Sequence, residues 1–122
     1  PLEDQVRAQV KEAQWRMVLN SLMICLFARG VYDGQIILEG LAALGLKWDS
    51  SSLQEMAEKS LLRKYEWKAL CGFDHNFVKI PEKMYSVQTA TGLMGRESLE
   101  KRLRLYRKYA GLKPSTGGRR RS

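Results

Sequence analysis

The chain has 122 residues, 44% of them hydrophobic and 28% charged. That suits one globular domain, is too short for two independent cores, and excludes collagenous, low-complexity or broadly disordered classes. The formal net charge of +8 is confined to one end: residues 96–122 carry ten Lys/Arg against two Asp/Glu, and residues 1–95 carry eleven of each. This split argues against a broad nucleic-acid-binding face, to which a whole domain would contribute.

The longest apolar run, Leu22 to Ala28, is far below the roughly 20 residues of a membrane helix, so no membrane association is expected. The start, Pro1-Leu2-Glu3-Asp4, has no secretory character. Lacking an initiator methionine, it reads as a chain cut from something longer. Cys25 and Cys71 sit in apolar surroundings with no sign of an oxidising compartment. Free thiols and a cytoplasmic location are therefore expected.

In chain order, residues 3–19 form the first expected helix, with Val6, Val10, Ala13, Met17 and Val18 at helical spacing and Trp15 alongside. Asn20-Ser21 compete for backbone hydrogen bonds and interrupt it. Leu22 to Ala28 has no polar residue, so a short segment buried on all sides is expected there, closed by Gly30 and covered in part by polypeptide outside this chain. Asp33 caps a helix through Gln35, Ile36, Ile37, Leu38, Leu41, Ala42 and Leu44, ended by Gly45. Asp49 or one of Ser50 to Ser52 caps the next, with two competing capping boxes, Ser51 with Gln54 and Ser52 with Glu55. That helix reaches about Leu70, with Leu53, Met56, Ala57, Leu61, Tyr65 and Leu70 inward. Residues 73–94, broken by Pro81 and Gly92, form a long connection. The last helix spans Arg96 to Ala110, with Leu99, Leu103, Tyr106 and Ala110 inward and Arg102, Arg104, Arg107 and Lys108 mostly outward. Residues 113–122 read as a disordered basic tail. The expected fold is therefore all-α: one irregular multi-helical domain over residues 1–112, with a long Pro-containing connection before the last helix.

Enzyme signatures are scarce. There is no phosphate-binding glycine loop, no H-E-x-x-H and no C-x-x-C. Asp74 beside the sole histidine, His75, reads as a solvated loop pair. Cys71 reads as a small apolar filler, and Tyr65, Trp67, Phe73 and Phe77 as core. Cys25 is the candidate for chemistry. A buried thiolate needs a metal or hydrogen bonds. An iron–sulfur cluster takes about four cysteines, so any other ligands come from outside this chain.

The run Asn20-Ser21-Leu22-Met23-Ile24-Cys25-Leu26-Phe27-Ala28 resembles the Asp-Ser-Leu-x-x-Cys-x-Phe motif of the aldehyde ferredoxin oxidoreductases. The likeness continues in order through Leu41 to Asp49, Lys64 to Lys68 with Gly72-Phe73-Asp74, Lys79 to Lys83, and Leu103 to Leu112. In that family it corresponds to the C-terminal region alone. The resemblance implies an enzyme oxidising aldehydes to carboxylic acids at tungsten (or molybdenum) held by two pterins, with a [4Fe–4S] cluster passing electrons to ferredoxin. It implies that Cys25 is the cluster ligand supplied by this region, and that Asn20 and Ile24 stand where the family contacts a pterin. Its partners would be the remainder of the same enzyme, ferredoxin and an aldehyde substrate, and this region alone would be inactive. The chain departs from the family pattern at Asn20, where aspartate is usual, and at Ala110 and Leu112 in the terminal motif. The alternative is a stand-alone helical module binding nucleic acid or an acidic partner through Arg102, Arg104, Arg107, Lys108 and Arg119 to Arg121 as one surface.

Overall fold

The computed structural model describes residues 1–90 and 92–113. Four helices dominate: α1 (Leu2–Ser21), α2 (Gly34–Ala43), α3 (Ser50–Leu70) and α4 (Arg96–Tyr109). The all-α multi-helical architecture is as expected. Inside the connection before α4, the described residues add a 3-10 turn (Glu82–Tyr85) and a two-stranded antiparallel ribbon, β1 (Gln88–Thr89) with β2 (Gly92–Leu93). Of the tail expected over 113–122, residues 114–122 lie outside the described residues.

Each helix starts and stops for a local reason. The Asp33 carboxylate accepts the Ile36 N–H at 2.9 Å, capping α2. At α3 the choice among Asp49 and the serines falls to Asp49, which accepts both the Ser52 N–H and the Ser52 hydroxyl at 2.7 Å. Neither capping box forms. Ser52 is spent on Asp49, and the Gln54 amide donates instead to Glu58 and Gln14. The Asp49 carboxyl is held below its ordinary 3.8, first by the Ser52 backbone N–H and then by the Ser52 hydroxyl. A depressed folded value contributes stability above the unfolded value, and that contribution disappears as pH falls through the lower folded one. The start of α3 is therefore expected to loosen below about pH 4. Asp49→Asn keeps a capping oxygen that does not titrate and should abolish this pH dependence, read by urea unfolding across pH.

α1 is the central element, packed on α3 along one side and on α4 along another. Val6, Val10, Gln14 and Val18 recur every fourth residue as its buried stripe, with Leu19 beside them. One cluster joins Val18 and Leu19 to Ile37 of α2 and to Leu53 and Ala57 of α3. A second joins Val10 to Leu61 of α3 and Ala110 after α4, flanked by Tyr65, Tyr106 and Tyr109. Gln14 is the one polar residue of the buried stripe, and its amide oxygen accepts the Gln54 Nε2–H at 3.2 Å. Burial raises the Tyr106 phenol well above its usual value, and its hydrogen bond with Tyr65 adds to this. The Tyr106 phenol thus stays neutral where α4 meets α3.

Candidate functional site

The segment Leu22 to Ala28, expected to be buried on all sides, is mostly exposed and forms no α-helix. α1 ends instead in a Schellman turn: the Leu22 N–H reaches the Val18 carbonyl, Met23 N–H the Asn20 carbonyl at 3.1 Å, and Ile24 N–H the Leu19 carbonyl at 2.9 Å. That turn requires a left-handed residue. Gly45 (φ 83) and Gly72 (φ 88) take the corresponding place after α2 and α3, whereas after α1 it is Met23, at φ 55. A side chain there costs on the order of 1 kcal/mol. Met23→Gly is therefore expected to raise the chain's unfolding free energy by about 0.5–1 kcal/mol in denaturant titration.

Ile24, half-buried, packs on the cluster of Val18 and Leu19 and anchors the exit of the turn. Cys25 follows in extended conformation (φ −59, ψ 132), and its carbonyl accepts the Ala28 N–H at 2.9 Å, opening a single 3-10 turn over Leu26–Ala28. The Arg29 guanidinium donates to the Leu26 carbonyl at 3.3 Å, and Gly30, which lacks a positive φ, does not close the turn as a C-terminal glycine. Cys25 is thus a single residue between two hydrogen-bonded turns, and its thiol is exposed. Met23 and Phe27 on either side are 91% and 96% exposed, with Leu22 and Leu26 at 39%.

Asn20, Ile24 and Cys25 therefore gather at one helix end. The Asn20 side chain is exposed and makes no hydrogen bond among the described residues, leaving a neutral amide that can both donate and accept. The Ile24 N–H is spent on Leu19, so any contact of its backbone to an external ligand runs through its carbonyl oxygen. Among the described residues no three of His, Cys, Asp and Glu come together as a metal would need. One open thiol is what this end offers, and that fits a single-ligand contribution to a group held mainly by other polypeptide.

The remaining expected residues are placed differently. Cys71 is exposed rather than a core filler. Trp67, Leu70 and Phe77 are 64%, 78% and 82% exposed rather than inward. The Asp74 carboxylate accepts the Asn76 N–H at 2.8 Å in a local turn, while half-buried His75 meets the Tyr65 ring edge-on at 6.2 Å. Of the basic residues expected to form one surface, Arg104 and Lys108 are exposed, while Arg102 and Arg107 are half-buried. Arg96 pairs with Glu82, Arg102 donates to Gln5 at 2.9 Å, and Arg107 donates to the His75 carbonyl at 2.9 Å. Arg119 to Arg121 lie outside the described residues.

Two stretches of the chain carry exposed apolar side chains. One holds Leu22, Met23, Leu26, Phe27, Val31 and Tyr32. The other holds Trp67, Leu70, Phe73, Phe77 and Val78. None of the described helices is long and apolar enough to cross a membrane. No family model, no curated protein and no solved structure matches this chain.

Proposed function

We propose that this chain is the C-terminal helical part of an oxidoreductase resembling the aldehyde ferredoxin oxidoreductases, contributing Cys25 to an iron–sulfur cluster completed by the rest of the enzyme. The observation that carries this reading is the open Cys25 thiol, clamped between two turns and ringed by exposed apolar side chains. The ordered series of motif resemblances from Asn20 to Leu112 supplies the chemistry. When bound, the tungsten or molybdenum bis-pterin supplies oxidation of an aldehyde to a carboxylic acid, and the cluster supplies a path for electrons to ferredoxin.

In that reading the chain's own residues have limited tasks. The Schellman turn fixes where Ile24 ends and Cys25 begins, so the thiolate meets iron without a conformational search. Asn20 and the Ile24 carbonyl line the same helix end, where they can hydrogen-bond a polar heterocycle. Exposed Met23 and Phe27 exclude water once covered, which protects a cluster and keeps the local dielectric low. The isolated chain would be inactive.

The test is the iron content of the complete protein with Cys25→Ala. Retention of a full cluster would overturn the proposal. The alternative, a helical module binding nucleic acid or an acidic partner through its basic C-terminus, would draw on exposed Arg104 and Lys108, since Arg102 and Arg107 already donate within the chain.

A further inference from the structure

We infer that the cleft between Trp48 and one side of α3 binds a small aromatic anion, a flat ring system bearing a single carboxylate or phosphate group. This goes beyond the proposed function and does not rest on it.

The cleft is open to solvent and measures about 440 Å³, within the roughly 300–1,000 Å³ of small-molecule sites. Met56, Lys59, Ser60 and Arg63 stand at i, i+3, i+4 and i+7 of α3 and so share one side of that helix. Trp48, just ahead of the helix, lines the same cleft. Its backbone is held on both sides. The Trp48 N–H bonds the Leu46 carbonyl at 3.1 Å, and the next residue, Asp49, caps α3. The cleft is therefore in place before any ligand arrives.

Its lining divides into an apolar and a charged part. The apolar part is the Trp48 side chain, 39% exposed, and half-buried Met56, whose sulfur accepts the Ser60 hydroxyl at 3.4 Å. Indole and thioether both favour contact with an aromatic ring. In the charged part, Lys59 pairs with Glu55, so those two charges offset one another. Arg63 is exposed and makes no hydrogen bond or ion pair among the described residues. One uncompensated cation thus stands beside an apolar wall. A guanidinium presents a planar fork of donors that matches a carboxylate or a phosphate two bonds at a time. The apolar wall selects the ring, and Arg63 selects the anionic group. A cationic ligand would meet only Glu55, already spent on Lys59.

The experiment titrates the full 122-residue chain with four probes, followed by amide and indole NMR shifts: naphthoate, naphthyl phosphate, uncharged naphthalenemethanol and inorganic phosphate. Expected are saturable shifts at the Trp48 indole N–H and across residues 52–63 with at least one of the two aryl anions. Arg63→Gln should weaken that binding at least about tenfold, the loss that follows removal of a charge-assisted hydrogen bond. Arg104→Gln, an exposed arginine on α4, should leave it unchanged. Saturation by naphthoate alone supports the inference and assigns a carboxylate, and saturation by naphthyl phosphate alone supports it and assigns a phosphate ester. Equal binding of the alcohol or of inorganic phosphate would overturn it, as would equal weakening by Arg104→Gln. So would the absence of saturable shifts with either aryl anion up to about 10 mM.

Discussion

Leu61→Ala is expected to lower the unfolding free energy of the chain by about 3 kcal/mol, within the 2–5 kcal/mol span for fully buried leucines. Leu61 is 1% exposed and sits where three elements meet: Val10 of α1, its own helix α3, and Ala110 with Tyr106 at the end of α4. Backbone on three sides limits collapse into the space left behind, so the transfer loss and the cavity term both apply. The effect is large relative to the whole. Among the described residues only nine hydrophobic side chains are buried, and domains of this size are stable by about 5–15 kcal/mol in total. A urea titration with unchanged slope and a lower midpoint would show it. A loss below about 1 kcal/mol would mean that the α1–α3–α4 junction is loosely packed. Leu70→Ala, nine positions further along α3 and 78% exposed, should stay within about 0.5 kcal/mol in the same assay.

That pair also shows how far the sequence could be read. Helix identity was legible because its signals are local. Asp33, Asp49 and the glycines at 45, 72 and 111 cap or end helices where apolar periodicity begins and stops, and the observed ends fall within a residue or two of those expected. Phase along α3 was legible too, though it was not drawn from the apolar list. Nine residues at 3.6 per turn place Leu70 about 180° around the helix from Leu61. It could not share the inward stripe. Hydrophobicity alone had recruited it, together with Trp67 and Phe77, into a core that this chain does not possess.

The segment after Asn20 was misread for a different reason. An apolar run without polar residues fits a buried helix, a buried strand, or an exposed segment awaiting a partner. What decides among them is the left-handed residue that ends α1. Methionine gives no sequence signal for that conformation, whereas glycine would have. The same substitution bears on function. Three helix ends use glycine and the fourth keeps a strained, fully exposed methionine beside the candidate ligand. Strain retained at one of four equivalent turns is the pattern expected where a side chain serves contacts beyond the fold. Met23→Gly should accordingly stabilise the isolated chain and, under the proposed function, weaken its hold on the rest of the enzyme. Gln14 was missed because burial of a polar amide depends on a partner forty positions away, at Gln54.

Under the proposed function, Cys25→Ala in the complete enzyme is expected to remove the cluster's full complement of iron and to reduce electron transfer to ferredoxin by more than about 100-fold, beyond the 10–100-fold typical of losing an outer-shell partner of a metal site. The same substitution should leave the unfolding free energy of the chain within about 0.5 kcal/mol, because the thiol is exposed and packs against nothing here. The contrast between an unchanged fold and a lost cluster is what separates a ligand from a structural cysteine. Cys25→Ser sharpens it. A serine oxygen restores the shape but is a harder, more weakly ionised donor than thiolate, so iron should be retained only in part. Cys71→Ala, an exposed thiol at the far end of α3, should leave iron content unchanged. If Cys25→Ala and Cys71→Ala gave equal iron content, the thiol between the two turns would be an ordinary surface cysteine, and the family resemblance would carry no chemistry at this position.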